Sequence, residues 1–203
     1  ETDKEVNAPL QERTGFVSPT VQNVTINGDG SSEVTYTYER EEYTFSITDR
    51  TYIDSTLTTN NGTYPYETEV TIKAVEREGY DFSWSDGETD YERTFDLTES
   101  KELTPMYTAR NDTAYKVIHQ KQKITLDGYE VVDTQNLTGT TDSSITPAVN
   151  TYTGFTSPET QTVTIAGDGS TEVIYNYARN KVRVTVTNSE YIEEGDISGD
   201  YYY

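Results

Sequence analysis

Residues 153–179 read TGFTSPETQTVTIAGDGSTEVIYNYAR, and residues 14–40 read TGFVSPTVQNVTINGDGSSEVTYTYER. Without a gap the two passages agree at 18 of 27 positions, at a constant offset of 139 residues. Each holds two runs in which β-branched or aromatic residues alternate with polar ones, the pattern of a half-buried strand. Val163 and Ile165 share one face of the first run, and Val173, Tyr175 and Tyr177 share one face of the second. Between the runs, Gly167-Asp168-Gly169 supplies the positive φ that a tight reversal needs. This pattern predicts a β-hairpin in each copy. The copies keep the turn and the apolar face, whereas Thr35 and Ile174, or Asn27 and Ala166, differ.

Outward from the repeat, the offset continues. Thr2-Asp3 aligns with Thr141-Asp142, and YTFSITDRTYI (43–53) aligns with VRVTVTNSEYI (182–192). After a two-residue gap, NGTYPY ending at Tyr66 matches SGDYYY ending at Tyr203. Residues 41–112 nevertheless do not resemble 113–180. The period is therefore read as two unlike modules, A and B, in the order end of A (1–40), B (41–112), complete A (113–180) and start of B (181–203). That order is expected of a window cut from a longer array. The expected connectors are short: Arg40-Glu41, Arg110-Asn111-Asp112 and Asn180-Lys181, none of them a Gly/Ser tether. They predict an elongated tandem array with little hinge freedom.

Composition fits a polar, strand-forming chain. There are 36 acidic against 15 basic residues, a formal charge of -21. A field of that sign repels phosphate, which argues against nucleic acid as a partner, and it favours solubility. Val, Ile, Leu and Phe make about a fifth of the residues, a level that with high charge usually signals disorder. The 36 Thr and 18 Tyr argue otherwise, because both fit a pleated, half-buried surface. The expected fold class is mainly β, in small sheet modules with thin tyrosine-covered cores and little helix. The one short-helix candidate is 141–148, with Asp142 or Ser143 as cap. The absence of cysteine excludes disulfides and thiol chemistry. No apolar run is long enough to span or insert into a membrane, and no leader pattern opens the sequence.

The complete A module opens with Tyr115, Val117 and His119 in a Y-x-V-x-H run and continues through Gly128-Tyr129 and Tyr152-x-Gly154-Phe155. It closes on Val173-x-Tyr175-x-Tyr177. These marks resemble the mucin-binding-protein (MucBP) repeat of bacterial surface proteins. Residues 62–111 carry Gly-x-Tyr-Pro, V-T-I-K-A, Gly-Tyr-x-Phe, Trp-Ser-Asp-Gly and a closing x-L-T-x-x-Tyr, which resemble the divergent internalin-B-type repeat. The resemblance implies non-catalytic modules in tandem on an extracellular, surface- or wall-anchored bacterial protein, with a β-grasp-like A module. It implies a stalk or adhesive rod, or a filament. Neighbouring repeats of the same protein would be partners, and a host or neighbouring-cell glycoprotein or polysaccharide is a further partner class. The alternatives are a glycan-binding module and an accessory region of a large secreted enzyme. The quoted marks are turn glycines and core aromatics, so they imply architecture rather than a ligand.

Few residues invite a site. Asn27, Asp29, Ser31 and Glu33 place oxygens at alternate positions, as a calcium loop does, but Ala166 replaces the first of them in the other copy. A turn accounts for both copies. Asp86, Glu88 and Asp90 follow Trp84 and are weak calcium candidates; no other cofactor is expected. Trp84, Tyr201 and Tyr202, with Tyr203 beside them, are candidate ligand-binding rings, and the competing reading puts Trp84 in the thin core of B. His119 is the only histidine and has no partner nucleophile in the sequence, so no catalytic residue is expected. Lys73, in a predicted core strand, is the one lysine suited to an isopeptide crosslink. The sequons Asn23, Asn61, Asn111 and Asn136 are what a threonine-rich chain produces by chance.

Overall fold

The computed structural model describes residues 1–185 and 199–203. All regular structure among them is β, without a helix. The chain divides into two compact units, Glu1–Glu76 with Phe82–Tyr107, and Arg77–Asp81 with Thr108–Tyr203.

In the first unit, β1 (Glu5–Asn7) pairs antiparallel with β3 (Asn23–Thr25), and β2 (Phe16–Val17) with β4 (Glu39–Arg40). A three-stranded sheet follows. Its centre is β5 (Glu42–Ile47), antiparallel to β6 (Gly62–Pro65) and parallel to β10 (Lys101–Leu103). A further ribbon joins β7 (Thr68–Lys73) to β9 (Glu92–Leu97); β8 (Tyr80–Trp84) pairs with β11 (Pro105–Ala109), and of these two strands Phe82–Trp84 and Pro105–Tyr107 fall in this unit. Alternation along β5, β7 and β8 turns Phe45, Ile47, Val70, Ile72, Phe82 and Trp84 inward, where they form one core with Leu97 and Leu103. Phe82 stacks on Tyr91 at 4.4 Å and meets Trp84 edge-on at 5.4 Å, so aromatic rings supply much of the buried area.

The second unit centres on a mixed sheet. Its strands are β12 (Thr113–Gln122), β13 (Tyr129–Gly139), β15 (Phe155–Thr156) and β17 (Glu172–Arg179), in the order β13-β12-β17-β15. The central pair β12·β17 is parallel and aligns Val117 with Val173 and His119 with Tyr175. A separate ribbon joins β14 (Ser144–Ile145) to β16 (Val163–Thr164), and another joins β18 (Lys181–Val184) to β19 (Gly199–Tyr202). Val117, Val173, Tyr175 and Tyr177 form the core, all at most 1% exposed. Tyr115, Val117 and His119 share a face of β12, as their spacing predicts.

Two expectations need correction. The Gly167-Asp168-Gly169 turn exists, with Gly169 at φ 73° and its N–H on the Ala166 carbonyl, but its arms do not pair with each other. The first arm pairs with β14 and the second with β12 and β15. The turn is thus an arch between two sheets, tied across by Gln161 Nε2 donating to Ile174 O and Ala166 N donating to Thr171 Oγ1. The predicted helix at 141–148 is a turn followed by β14: Asp142 sits at φ 60°, and Ser143 Oγ donates to the Thr140 carbonyl instead of capping. The following Ile145 then finds a strand partner in Val163. The VTVT run at 184–187 lies partly outside the described residues.

Candidate functional site

Two matching constructions lie where each A-type arch hands over to the next strand. In the first unit, Gly15 (φ 79°) lies under the ring of Tyr66, and a Cβ on the glycine would enter that ring. Phe16 meets the same ring edge-on at 5.9 Å, and the Arg40 guanidinium lies 5.3 Å above Phe16. Arg40 Nη1 donates to the Tyr66 carbonyl at 2.5 Å and to Glu67 Oε2 at 2.7 Å. Backbone bonds close the assembly, with Glu41 N on Gly15 O at 2.8 Å and Tyr66 N on Glu41 O at 2.7 Å.

The second unit repeats this construction. Gly154 (φ 81°) lies under the ring of Tyr203, Phe155 meets that ring edge-on at 6.3 Å, and Arg179 lies 4.9 Å over Phe155. Arg179 Nη1 donates to the Tyr203 carbonyl, Asn180 N to Gly154 O and Tyr203 N to Asn180 O. The connector from β4 to β5 is one residue, Glu41, and from β17 to β18 one residue, Asn180. A single residue whose N–H and C=O are both bonded leaves little freedom. Only glycine tolerates both the positive φ and the ring against Cα, so the glycine selects the tyrosine's place.

A second kind of contact holds residues Arg77–Asp81 within the second unit. Gly79 and Gly167 approach so closely that a Cβ on either would strike the backbone of the other segment. Arg110 N donates to Gly79 O and Thr141 N to Arg110 O, both at 2.9 Å. The Tyr80 hydroxyl donates to Asp142 Oδ2, and that hydrogen bond to a carboxylate pushes its pKa up. Arg110 and Asp112 form a bidentate pair with both bonds at 3.0 Å, which holds the Asp112 carboxyl below its usual range.

The residues singled out in the sequence fall elsewhere. Trp84 is 1% exposed, donates Nε1–H to the Asp90 carbonyl at 2.9 Å and offers no ring face to a ligand. Asp86 accepts from Arg93 at 2.5 Å and pairs with Lys101 at 3.3 Å. Burial opposes its ionisation, but these two cations outweigh that and hold its carboxyl low. Glu88 and Asp90 contribute their carbonyls to the turn around Trp84. Among the described residues no group of three or more Asp, Glu or His side chains is arranged to hold a metal. A shallow groove of about 380 Å³ passes Asp86, Arg93, Phe95 and Lys101. Tyr201 and Tyr202 are exposed on β19, at 46% and 38%, and Tyr203 is the ring used against Gly154.

Asp29 and Asp168 each accept from the N–H and hydroxyl of the serine two residues on, and both carboxyls are held low by those bonds. Lys73 lies opposite Glu92 in the β7·β9 ladder and pairs with it at 2.7 Å. Asn61 exchanges both amide bonds with the backbone of Ile47. His119 is fully buried with Nδ1 2.8 Å from the Tyr177 hydroxyl, and burial pushes the Tyr177 phenol up.

No protein-family model matches this chain, and no curated protein matches it. Sequence reasoning aligned Tyr66 with Tyr203 but assigned them no shared task. The usable signal was a Thr-Gly-Phe followed at the same spacing by Arg in both copies (Gly15 to Arg40, Gly154 to Arg179), and then by Tyr66 or Tyr203 across the two-residue gap.

Proposed function

We propose that the chain is a non-catalytic stretch of a bacterial extracellular surface protein, in which MucBP-like modules alternate with internalin-B-type modules. Module limits are those read from the repeat, 1–40, 41–112, 113–180 and 181–203. The A module is a β-grasp-like sheet without a covering helix. The protein acts as a stalk that projects and spaces other domains at the cell surface or cell wall, and supports attachment or filament formation. One observation carries this reading: the Gly–Tyr–Arg handover is built twice, with corresponding partners, in the two copies of the repeat. A spacer needs each module to fix the direction of the next. One-residue connectors with bonded backbone groups do that. The acidic surface keeps neighbouring stalks apart.

Small-angle scattering of the whole chain tests the proposal. A compact chain of this length has a radius of gyration of roughly 17 Å. The stalk reading expects a value well above that, with a distance distribution tailing toward a rod; the compact value would sink it. A glycan- or glycoprotein-binding role is the second reading, favoured by the exposure of Tyr201 and Tyr202 on one ribbon. It expects Tyr201→Ala with Tyr202→Ala to abolish binding to a glycan array, with β content unchanged.

A further inference from the structure

Asparagine followed by glycine occurs twice, at Asn27-Gly28 and Asn61-Gly62, and the fold treats the two pairs differently. Asparagine is thermolabile because its side-chain carbon can be attacked by the backbone nitrogen of the next residue. A glycine there admits the approach, since no Cβ crowds it. The attack needs a side-chain amide free to turn back on its own backbone and a following N–H that is not held elsewhere.

Asn27 meets both conditions. It is exposed, at the start of the turn 27–30, and one neutral bond holds its side chain, Nδ2 donating to Ser31 Oγ at 3.0 Å. The Gly28 N–H has no acceptor among the described residues. The backbone bonds of the turn, Asn27 N on Ser32 Oγ at 2.7 Å and Gly30 N on Asn27 O at 3.3 Å, leave both reacting atoms alone. Asn61 fails the first condition. Its Oδ1 accepts from Ile47 N at 2.9 Å and from Arg50 Nη1 at 3.0 Å, and its Nδ2 donates to Ile47 O at 3.1 Å. Gly62 is fixed in the β5·β6 ladder opposite Phe45.

We propose that Asn27-Gly28 is a site of spontaneous deamidation that converts the first arch to a more acidic form, while the fold protects Asn61-Gly62. The Gly28 nitrogen forms a bond to Asn27 Cγ, the Cγ–Nδ2 bond breaks, and ammonia leaves with the Gly28 proton. Water then opens the cyclic imide at either carbonyl, giving aspartate or isoaspartate at position 27 and a formal charge one more negative than -21. The second arch cannot follow, because Ala166 stands at the corresponding position.

The product works against the turn that made it. Ser31 N and Oγ already donate to Asp29 Oδ1, so a carboxylate at 27 faces a hydroxyl with no hydrogen left to give, beside the Asp29 charge. Isoaspartate also adds a methylene to the main chain, which displaces the Gly30 N–H from the carbonyl of residue 27. Asp29-Gly30 would close the same ring from a protonated carboxyl, a form that the Ser31 bonds disfavour. The inference does not require the surface-protein reading.

The test ages the full chain in warm, mildly alkaline buffer and follows each residue by peptide mapping with mass spectrometry. The expected result is conversion at Asn27, to aspartate and isoaspartate, at least about tenfold faster than at Asn61, whose three bonds must open first. In denaturant, where both pairs are free, the two rates should converge. Asn27→Ala, which copies Ala166, should abolish the acidic form on isoelectric focusing, and hydrogen exchange at 29–32 should quicken in the converted fraction alone. Conversion of Asn61 as fast as Asn27 in the folded chain overturns the proposal. A rate ratio that persists unchanged in denaturant also overturns it, by placing the difference in neighbouring sequence instead of in the fold.

Discussion

Residues 14–40 and 153–179 carry the same turn, the same alternating face and the same handover glycine, yet their tyrosines end in different surroundings. Tyr175 and Tyr177 are fully buried, and Tyr36 and Tyr38 are half-buried. The strand's own face is identical in the two copies, so it is not the cause, although Tyr152 packs edge-on against Tyr177 where Arg13 lies over Tyr38. The difference is the strand alongside: β12 covers one face-forming segment and nothing pairs with the other among the described residues. The arch is thus a local unit whose stability is supplied by a partner distant in sequence, as expected of non-local β pairing.

That contrast predicts unequal costs for equal substitutions. Tyr175→Ala should cost roughly 3–5 kcal/mol, the range for emptying a large aromatic site in a core, whereas Tyr36→Ala should cost less than half as much. Equal losses in denaturant titration would erase the distinction. At the handovers, Gly15→Ala and Gly154→Ala should each cost about 1–2 kcal/mol, from positive φ and the displaced ring. Combining Gly15→Ala with Tyr66→Ala should recover part of the loss. Strict additivity would mean the ring does not press on the glycine.

Smaller effects come from single polar groups. Tyr177→Phe strands the buried His119 Nδ1 and Asn150 N, a loss of about 1–3 kcal/mol for groups left unsatisfied. Tyr38→Phe removes only a bond to Gln11 O and should be nearly silent. Smallest is the acid response of the turns. Serine bonds depress the carboxyls of Asp29 and Asp168 in the folded state. Their contribution is therefore present above the unfolded carboxylate pKa of about 3.9 and lost as pH falls through the lower folded value. Asp29→Asn and Asp168→Asn should flatten the acid limb of a pH titration by similar small amounts. A response confined to one copy would show that the turns are not equivalent.

Period-2 alternation made the strands and their inward faces legible, including Val173, Tyr175 and Tyr177 and the Tyr115–Val117–His119 face. The 139-residue offset likewise made the matched tyrosines visible. Strand partners were not legible. An Asp-Gly turn encodes a reversal, but whether its arms zip together depends on what else competes for their edges. Here β14 and β12 win. The apparent helix start at Asp142 failed for a related reason: its residues close a turn at φ 60° and deliver Ile145 to Val163. Trp84 could be placed in the core or at a surface by sequence; Phe82 and Tyr91 in the same inward cluster decide for the core. The handover was hidden because its tyrosine and glycine lie far apart in the chain, so the repeat of both residue types does not reveal that they touch.

The central claim is that the two arches are one structure in two states of completion. Segment-resolved hydrogen exchange on the unmodified chain tests it most directly. Residues 172–179 should exchange only with unfolding of their unit, and residues 33–38 at least about 100-fold faster, as an edge without a ladder partner does. Equal protection of the two segments would contradict the account.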